Sequence, residues 1–165
     1  MEKNIQDWLK KIENSKKGSL DLSRDEDLSI ALMNLISLEE HFYFTAMKTE
    51  NGKYLDMLND IREMRKKFMK KIVKDTVGEE WCISKHLLAT SMRLIEVGTK
   101  EQTNKNTKEA EECFKAGFDL WSLFFAINMK LIGTKELPEL NKDVNGSASK
   151  FSEVIKKIVD CCKEW

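Results

Sequence analysis

Proline and glycine are scarce in this chain, with 1 proline and 7 glycines among 165 residues. An all-β fold with many tight turns needs more of both, so this scarcity disfavours a β fold and favours a few long helices. With 41% hydrophobic residues, the chain can bury one core of ordinary size. The sequence therefore predicts a single all-α domain.

An excess of one charge sign is also absent, because 28 Lys and Arg residues balance 28 Asp and Glu residues. Net charge thus provides no general attraction to nucleic acid or to an anionic membrane. No run approaches the roughly 18 consecutive apolar residues of a spanning helix, and the charged N-terminal residues are unlike a signal peptide. We therefore expect a cytoplasmic protein without a membrane or nucleic-acid partner.

Cysteine is limited to 4 residues at irregular spacing, which does not make a disulfide framework. In a reducing compartment each of these thiols acts first as a small hydrophobic side chain. The sequence also lacks a complete catalytic motif and a cofactor fingerprint. These absences favour a non-catalytic protein with no resident cofactor.

Apolar residues recur at helical spacing in six segments, from about residue 3 to 15, 24 to 48, 54 to the break at Gly78, 79 to 98, 106 to 132 and 148 to 165. Capping-box patterns open the second helix at Ser23 and Glu26, and the fifth at Asn106 and Glu109. Long helices with short connections predict an up-and-down bundle. The expected organisation of residues 1–165 is an N-terminal helix and linker (1–22), a four-helix main bundle (23–132), a loop (133–147) and a C-terminal helix (148–165), with both terminal helices packed on the bundle.

Small residues and one aromatic residue mark residues 94–117, where Gly98, Ala110 and Phe114 are followed by Gly117. This spacing resembles a single tetratricopeptide repeat, with Gly117 at a position where alanine is usual. The resemblance implies a helical hairpin with a concave peptide-binding surface and no chemistry. Such repeats normally stack in threes or more, and no second copy is found, so a generic helical hairpin is the favoured interpretation.

Glu39, Glu40 and His41 are adjacent in the most apolar predicted helix, where burial of two carboxylates is costly unless they are paired or bind a metal. Cys82 and His86 are one turn apart, so both side chains lie on one face of a helix. A mixed site would combine these two with a carboxylate from the triplet. This hypothesis predicts a divalent transition metal such as zinc.

The competing interpretation is structural. One seam of the second predicted helix contains Leu28, Leu32, Leu35, Glu39, Phe42 and Ala46, so Glu39 lies on a core face. In this interpretation Glu39 pairs with a cation such as Arg93, and Cys82 and His86 are packed or half-exposed. We expect this outcome in preference to the metal site.

A basic run occupies the latter half of the third predicted helix and comprises Arg62, Arg65, Lys66, Lys67, Lys70, Lys71 and Lys74. These side chains could bind phosphate groups. Basic residues near a helix C-terminus also complement the helix dipole, and no aromatic residues interleave them to stack on bases. A solvated helix face is therefore the expected role of this run.

The second and fifth predicted helices carry apolar residues on more faces than a monomeric bundle needs. Candidate anchors for a covering partner are Met47, Trp121, Phe125 and Trp165. The sequence therefore predicts a non-catalytic interaction or self-assembly module, acting by homodimerisation or by capture of a partner helix. The alternative function is metal binding, and metalloenzyme activity with it, through Cys82, His86 and Glu39 or Glu40.

Overall fold

The computed structural model describes residues 22–132 of the chain. This part contains four helices and no strand: α1 (Ser23–Thr49), α2 (Lys53–Ile72), α3 (Glu80–Thr103) and α4 (Thr107–Asn128). The predicted all-α bundle of four long helices is confirmed. The predicted terminal helices, the linker and the loop at 133–147 lie outside the described residues.

The helices form two antiparallel hairpins. Contacts are most extensive between α3 and α4, and next between α1 and α2, while the two hairpins meet mainly along α1 and α3. The main core lies between the first halves of α1 and α3 and the second halves of α2 and α4, which we call the lower half of the bundle. Its buried residues are Leu32, Met33, Ile36, Met69, Ile72, Val73, Leu88, Phe124 and Phe125.

Turn chemistry accounts for several helix ends. α1 begins at Ser23, one residue before the predicted start, so the N-cap is Leu22 and the predicted N-cap position of Ser23 was wrong. α1 ends at Thr49, because the left-handed backbone of Glu50 (φ 52°) stops the helix before Asn51 and Gly52. α2 ends at Ile72, because Val73 is extended. The predicted end near Gly78 was therefore several residues too late.

The ends of α3 and α4 also differ from the prediction. α3 continues past Gly98 to Thr103, and α4 stops at Asn128 rather than near Ile132. Asn106 occupies the N-cap position of α4 but makes no side-chain capping bond. Its amide instead donates to Glu101 Oε2 at 2.7 Å, so the predicted capping box at this helix was wrong.

Glycine allows α3 and α4 to approach closely. A Cβ at Gly98 would lie 2.6 Å from Phe114 Cε1, and a Cβ at Gly117 would lie 3.3 Å from the Ser91 carbonyl oxygen. The Ser91 hydroxyl also donates to the Gly117 carbonyl at 2.7 Å. Gly98 therefore serves helix packing rather than capping, which explains why α3 runs through it.

A buried hydrogen-bond chain links α4 to α1. Trp121 Nε1 donates to Ser29 Oγ at 2.8 Å, and that hydroxyl donates to the Glu26 carbonyl at 2.6 Å. Ser29 is completely buried, so its hydroxyl satisfies the indole N–H where no water is available. This chain fixes the first turns of α1 against the second half of α4.

Candidate functional site

The acidic triplet of α1 lies just above the core, where α1 faces α2 and α3. Arg65 Nε donates to Glu39 Oε1 at 2.5 Å, and a second guanidinium nitrogen of Arg65 donates to Glu39 Oε2 at 3.3 Å. The Arg65 side chain is 5% exposed and that of Glu39 is 16% exposed. This is a two-point ion pair in a largely dry environment, where removal of either partner alone is costly.

Glu40 has a separate cation. Arg93 Nε of α3 lies 3.5 Å from Glu40 Oε2, and another nitrogen of Arg93 donates to Ser37 Oγ. Both Glu40 and Arg93 are partly exposed. The predicted pairing of Glu39 with a cation is therefore right in kind, but the partner of Glu39 is Arg65, and Arg93 pairs with the neighbouring glutamate.

The other residues of the metal hypothesis are solvent-exposed. His41 lies on the outer side of α1, while Cys82 and His86 share an exposed face in the first turns of α3. Within residues 22–132 no group of three or more His, Cys, Asp or Glu side chains is arranged to hold a metal ion. The metal site stays a prediction from the sequence, and Glu39 and Glu40 are engaged by arginines.

The residues of the basic run, which extends from α2 to Lys74 just beyond its end, have different surroundings. Arg65 is buried, so it does not belong to a solvated face, because its guanidinium is needed by Glu39. Lys66 binds Glu63 at 2.7 Å, and this hydrogen bond lowers the pKa of the Glu63 carboxyl. The remaining members, which are Arg62, Lys67, Lys70, Lys71 and Lys74, are exposed.

The predicted interaction anchors have different surroundings. Met47 is 53% exposed, as an anchor for a partner would be. Phe125 is 2% exposed and is part of the core, and Trp121 is partly buried with its ring edge-on to Phe125 at 4.9 Å. These two residues hold the bundle together and are not surface anchors. Trp165 lies outside the described residues.

A second apolar seam of α1 is buried in the lower half of the bundle and exposed to solvent beyond it. Ser29, Met33 and Ile36 are buried, and the same stripe continues through the ion-paired Glu40. In the next two turns it presents the residues that we call the upper seam, Tyr43, Phe44 and Met47. These three side chains are 48%, 58% and 53% exposed. Three large apolar side chains thus face solvent on one face of one helix.

Tyr43 and Phe44 were not singled out from the sequence. The predicted seam of α1 runs through Leu35, Glu39 and Phe42, and it faces α2. The residues that each follow a member of this predicted seam by one position form a second heptad stripe, from Ser29 to Met47. This second stripe faces the other hairpin. A helix that packs against two neighbours has two such stripes, and the steps of four and three from Ser29 to Met47 were the signal for it.

A second polar cluster joins the lower ends of α3 and α4. Lys130 Nζ lies 2.7 Å from Glu80 Oε2, and that carboxylate also accepts from the backbone N–H of Val77 at 3.1 Å. The hydrogen bond from Lys130, followed by that from Val77, lowers the pKa of Glu80 below its ordinary value. The cluster closes the loop before α3 and is structural.

Comparison with models of known families, with curated proteins and with solved structures finds no match to this chain. No helix within residues 22–132 is both long and apolar enough to cross a membrane. The inference of function therefore rests on the residues of the chain itself.

Proposed function

We propose that this protein is a non-catalytic assembly module whose upper seam packs against an apolar helix of another polypeptide. The observation that carries the proposal is the continuity of one α1 stripe, which is buried by the other hairpin at Met33 and Ile36 and open at Tyr43 and Met47, with the exposed Phe44 beside it. Burying these side chains would be favourable by about 25 cal/mol per Å² of apolar surface removed from water.

The ion pairs support a binding role over a catalytic one. Glu39 and Arg65, together with Glu40 and Arg93, form a charged layer between the core and the upper seam. Each carboxylate already has its cation, which leaves no free acid–base pair at this position. The core below the layer is complete without the upper seam, so the upper seam is available to a partner.

We also propose that the protein works in the cytoplasm, on the basis of its free thiols. Cys82 and Cys113 are free thiols. Free thiols persist in reducing compartments, which supports the cytoplasm as the place where the module works.

The test compares the mass of the native complex for matched variants. Protein isolated gently from cells that make it from its own gene is measured by size exclusion with light scattering. We expect wild type to be heavier than its 19.2 kDa chain, and the folded Phe44→Ser/Met47→Ser variant to be lighter than wild type by the mass of the polypeptide that it no longer binds. The control Ile30→Ser/Val77→Ser removes two apolar side chains elsewhere that are also more than half exposed. It should keep the wild-type mass. A monomeric wild type, or a double variant with the same mass as wild type, contradicts the proposal.

A further inference from the structure

The α1/α2 hairpin carries an apolar groove of its own, separate from the upper seam. The groove has a volume of about 360 Å³ and is lined only by residues of the two helices of the hairpin, Leu28, Ala31, Asn34, Leu35, Leu38 and Phe68. Five of these six side chains are apolar, so the groove offers a hydrophobic contact and almost no hydrogen bonds.

The apolar surface extends from this groove along α2. Met57, Ile61, Met64 and Phe68 recur in steps of four, three and four residues, which places them on one stripe of the helix. Met57 is 44% exposed and Met64 is 46% exposed. The stripe has the spacing of a coiled-coil seam, and none of the helices within residues 22–132 covers its methionines.

Charged residues flank this stripe in two blocks of opposite sign. Asp56 and Asp60 precede Met64, and Lys67 and Lys71 follow it. None of the four forms an ion pair within residues 22–132, and the Lys71 ammonium lies over the Phe68 ring at 5.1 Å. All four are exposed, so their charges are available to a partner.

We propose that a second copy of this chain docks on this face, with the two α2 helices antiparallel about a two-fold axis beside Met64. Residues 60 and 67, and residues 56 and 71, are symmetric about the same point of the helix, just before Met64. Antiparallel pairing therefore sets each aspartate of one copy opposite a lysine of the other. Parallel pairing would set aspartates beside aspartates and lysines beside lysines.

The apolar and charged contacts have separate roles in this dimer. Met57 and Met64 of both copies bury their exposed side chains, and the flanking charges select the partner and its direction, as flanking charges do in coiled coils. This inference goes beyond the proposed function, because it concerns a different face of the hairpin and names its occupant. Either one can fail without the other.

The test is a charge-reversal complementation. One variant is Asp56→Lys/Asp60→Lys and the other is Lys67→Asp/Lys71→Asp, each studied by sedimentation equilibrium in low salt after a circular-dichroism check of the fold. We expect wild type to dimerise and each variant alone to associate at least tenfold more weakly, because its faces now repel. An equimolar mixture should form a heterodimer at least as tight as the wild-type dimer, because all four charge pairs are restored.

The control variant Glu111→Lys/Glu112→Lys makes the same charge change at exposed positions of α4 and should dimerise as wild type does. Three results would overturn the inference: a wild type that stays monomeric at high concentration, a variant that still dimerises alone, or a mixture that does not associate. Loss of dimerisation in Phe44→Ser/Met47→Ser, with no effect of the charge reversals, would assign self-association to the upper seam and also overturn it.

Discussion

At the scale of single residues, the feature that organises the bundle is the pairing of Glu39 with Arg65. Each residue replaces an apolar one in the seam of its own helix: Glu39 stands between Leu35 and Phe42, and Arg65 stands between Ile61 and Phe68. The two charges meet because these two charged positions lie at the same level of the antiparallel hairpin. A register slip of one turn would leave both charges buried without a partner.

Removing one charge of this pair should be much worse than removing both. We expect Arg65→Met to lower the free energy of unfolding by about 3 kcal/mol, because it leaves the Glu39 carboxylate without its cation. The double variant Glu39→Leu/Arg65→Met should lose far less, since neither charge remains to be buried. Urea unfolding at pH 7 measures both. Equal losses in the single and double variants would contradict this account of the ion pair.

The Glu80 cluster predicts a stability that depends on pH. The pKa of Glu80 is lowered from 4.5 by Lys130 and by the backbone N–H of Val77, so folding favours the ionised carboxylate. The stabilisation is present above pH 4.5 and is lost as the pH falls through the lower pKa of the folded state. The free energy of unfolding of wild type should therefore be about 1–2 kcal/mol larger than that of Glu80→Gln at pH 7. This difference should decrease as the pH falls.

Urea titrations from pH 7 to pH 3 measure that difference. Glu79→Gln, at the exposed neighbouring position, is the matched control and should show little change at either end. A difference for Glu80→Gln that stays constant or grows as the pH falls would show that its carboxylate is not stabilised as described.

At the scale of helices, the periodicity of apolar residues in the sequence predicts which segments are helical but not every helix end. The existence of α1, α2, α3 and α4 and, to within one residue, the start of α1 follow from apolar spacing and turn residues. The end of α3 does not, because Gly98 has the pattern of a helix cap in the sequence but packs against Phe114 in the fold. A tertiary contact of this kind leaves no local signal.

The packing role of Gly98 has a direct test. Gly98→Ala should lower the free energy of unfolding by about 1–2 kcal/mol despite the better helix propensity of alanine, because the new methyl group would overlap the Phe114 ring. Adding Phe114→Leu should recover part of the loss. Gly52→Ala is the control, since a Cβ there has nothing within 4 Å. Thermal unfolding of the three variants would contradict the account if Gly98→Ala proved as stable as Gly52→Ala.

Candidate residues for the site could be predicted only where they interrupt a local sequence pattern, and not where tertiary packing decides their environment. Glu39 was identified as unusual because a charge interrupts an apolar seam, and the interruption by Arg65 was the matching signal within the basic run. Trp121 and Phe125 were assigned to the surface because α4 is apolar on several faces, and periodicity cannot show which face the other hairpin covers. Burial of Phe125 is decided by the approach of α1 to α4, which is a property of the assembled bundle.

At the scale of the whole molecule, the residues that stabilise the fold and the residues proposed to bind a partner lie in different parts of the bundle. The lower half holds the core, the Glu39–Arg65 and Glu40–Arg93 pairs close it, and the upper seam lies beyond them. We therefore expect Phe44→Ser/Met47→Ser to change the free energy of unfolding of the isolated chain by no more than about 0.5 kcal/mol per substitution. Urea unfolding of the monomer measures it. A loss of several kcal/mol would place these residues in the core of the fold.

The central claim is that another polypeptide covers the upper seam, and site-specific photo-crosslinking tests it most directly. A photoreactive phenylalanine analogue at position 44 is activated in cells that make the protein, and the products are resolved by mass. The account predicts a discrete adduct of higher mass from position 44 and none from control position 30, where the native side chain is also more than half exposed. Position 44 giving no adduct, or the same products as position 30, would contradict the claim.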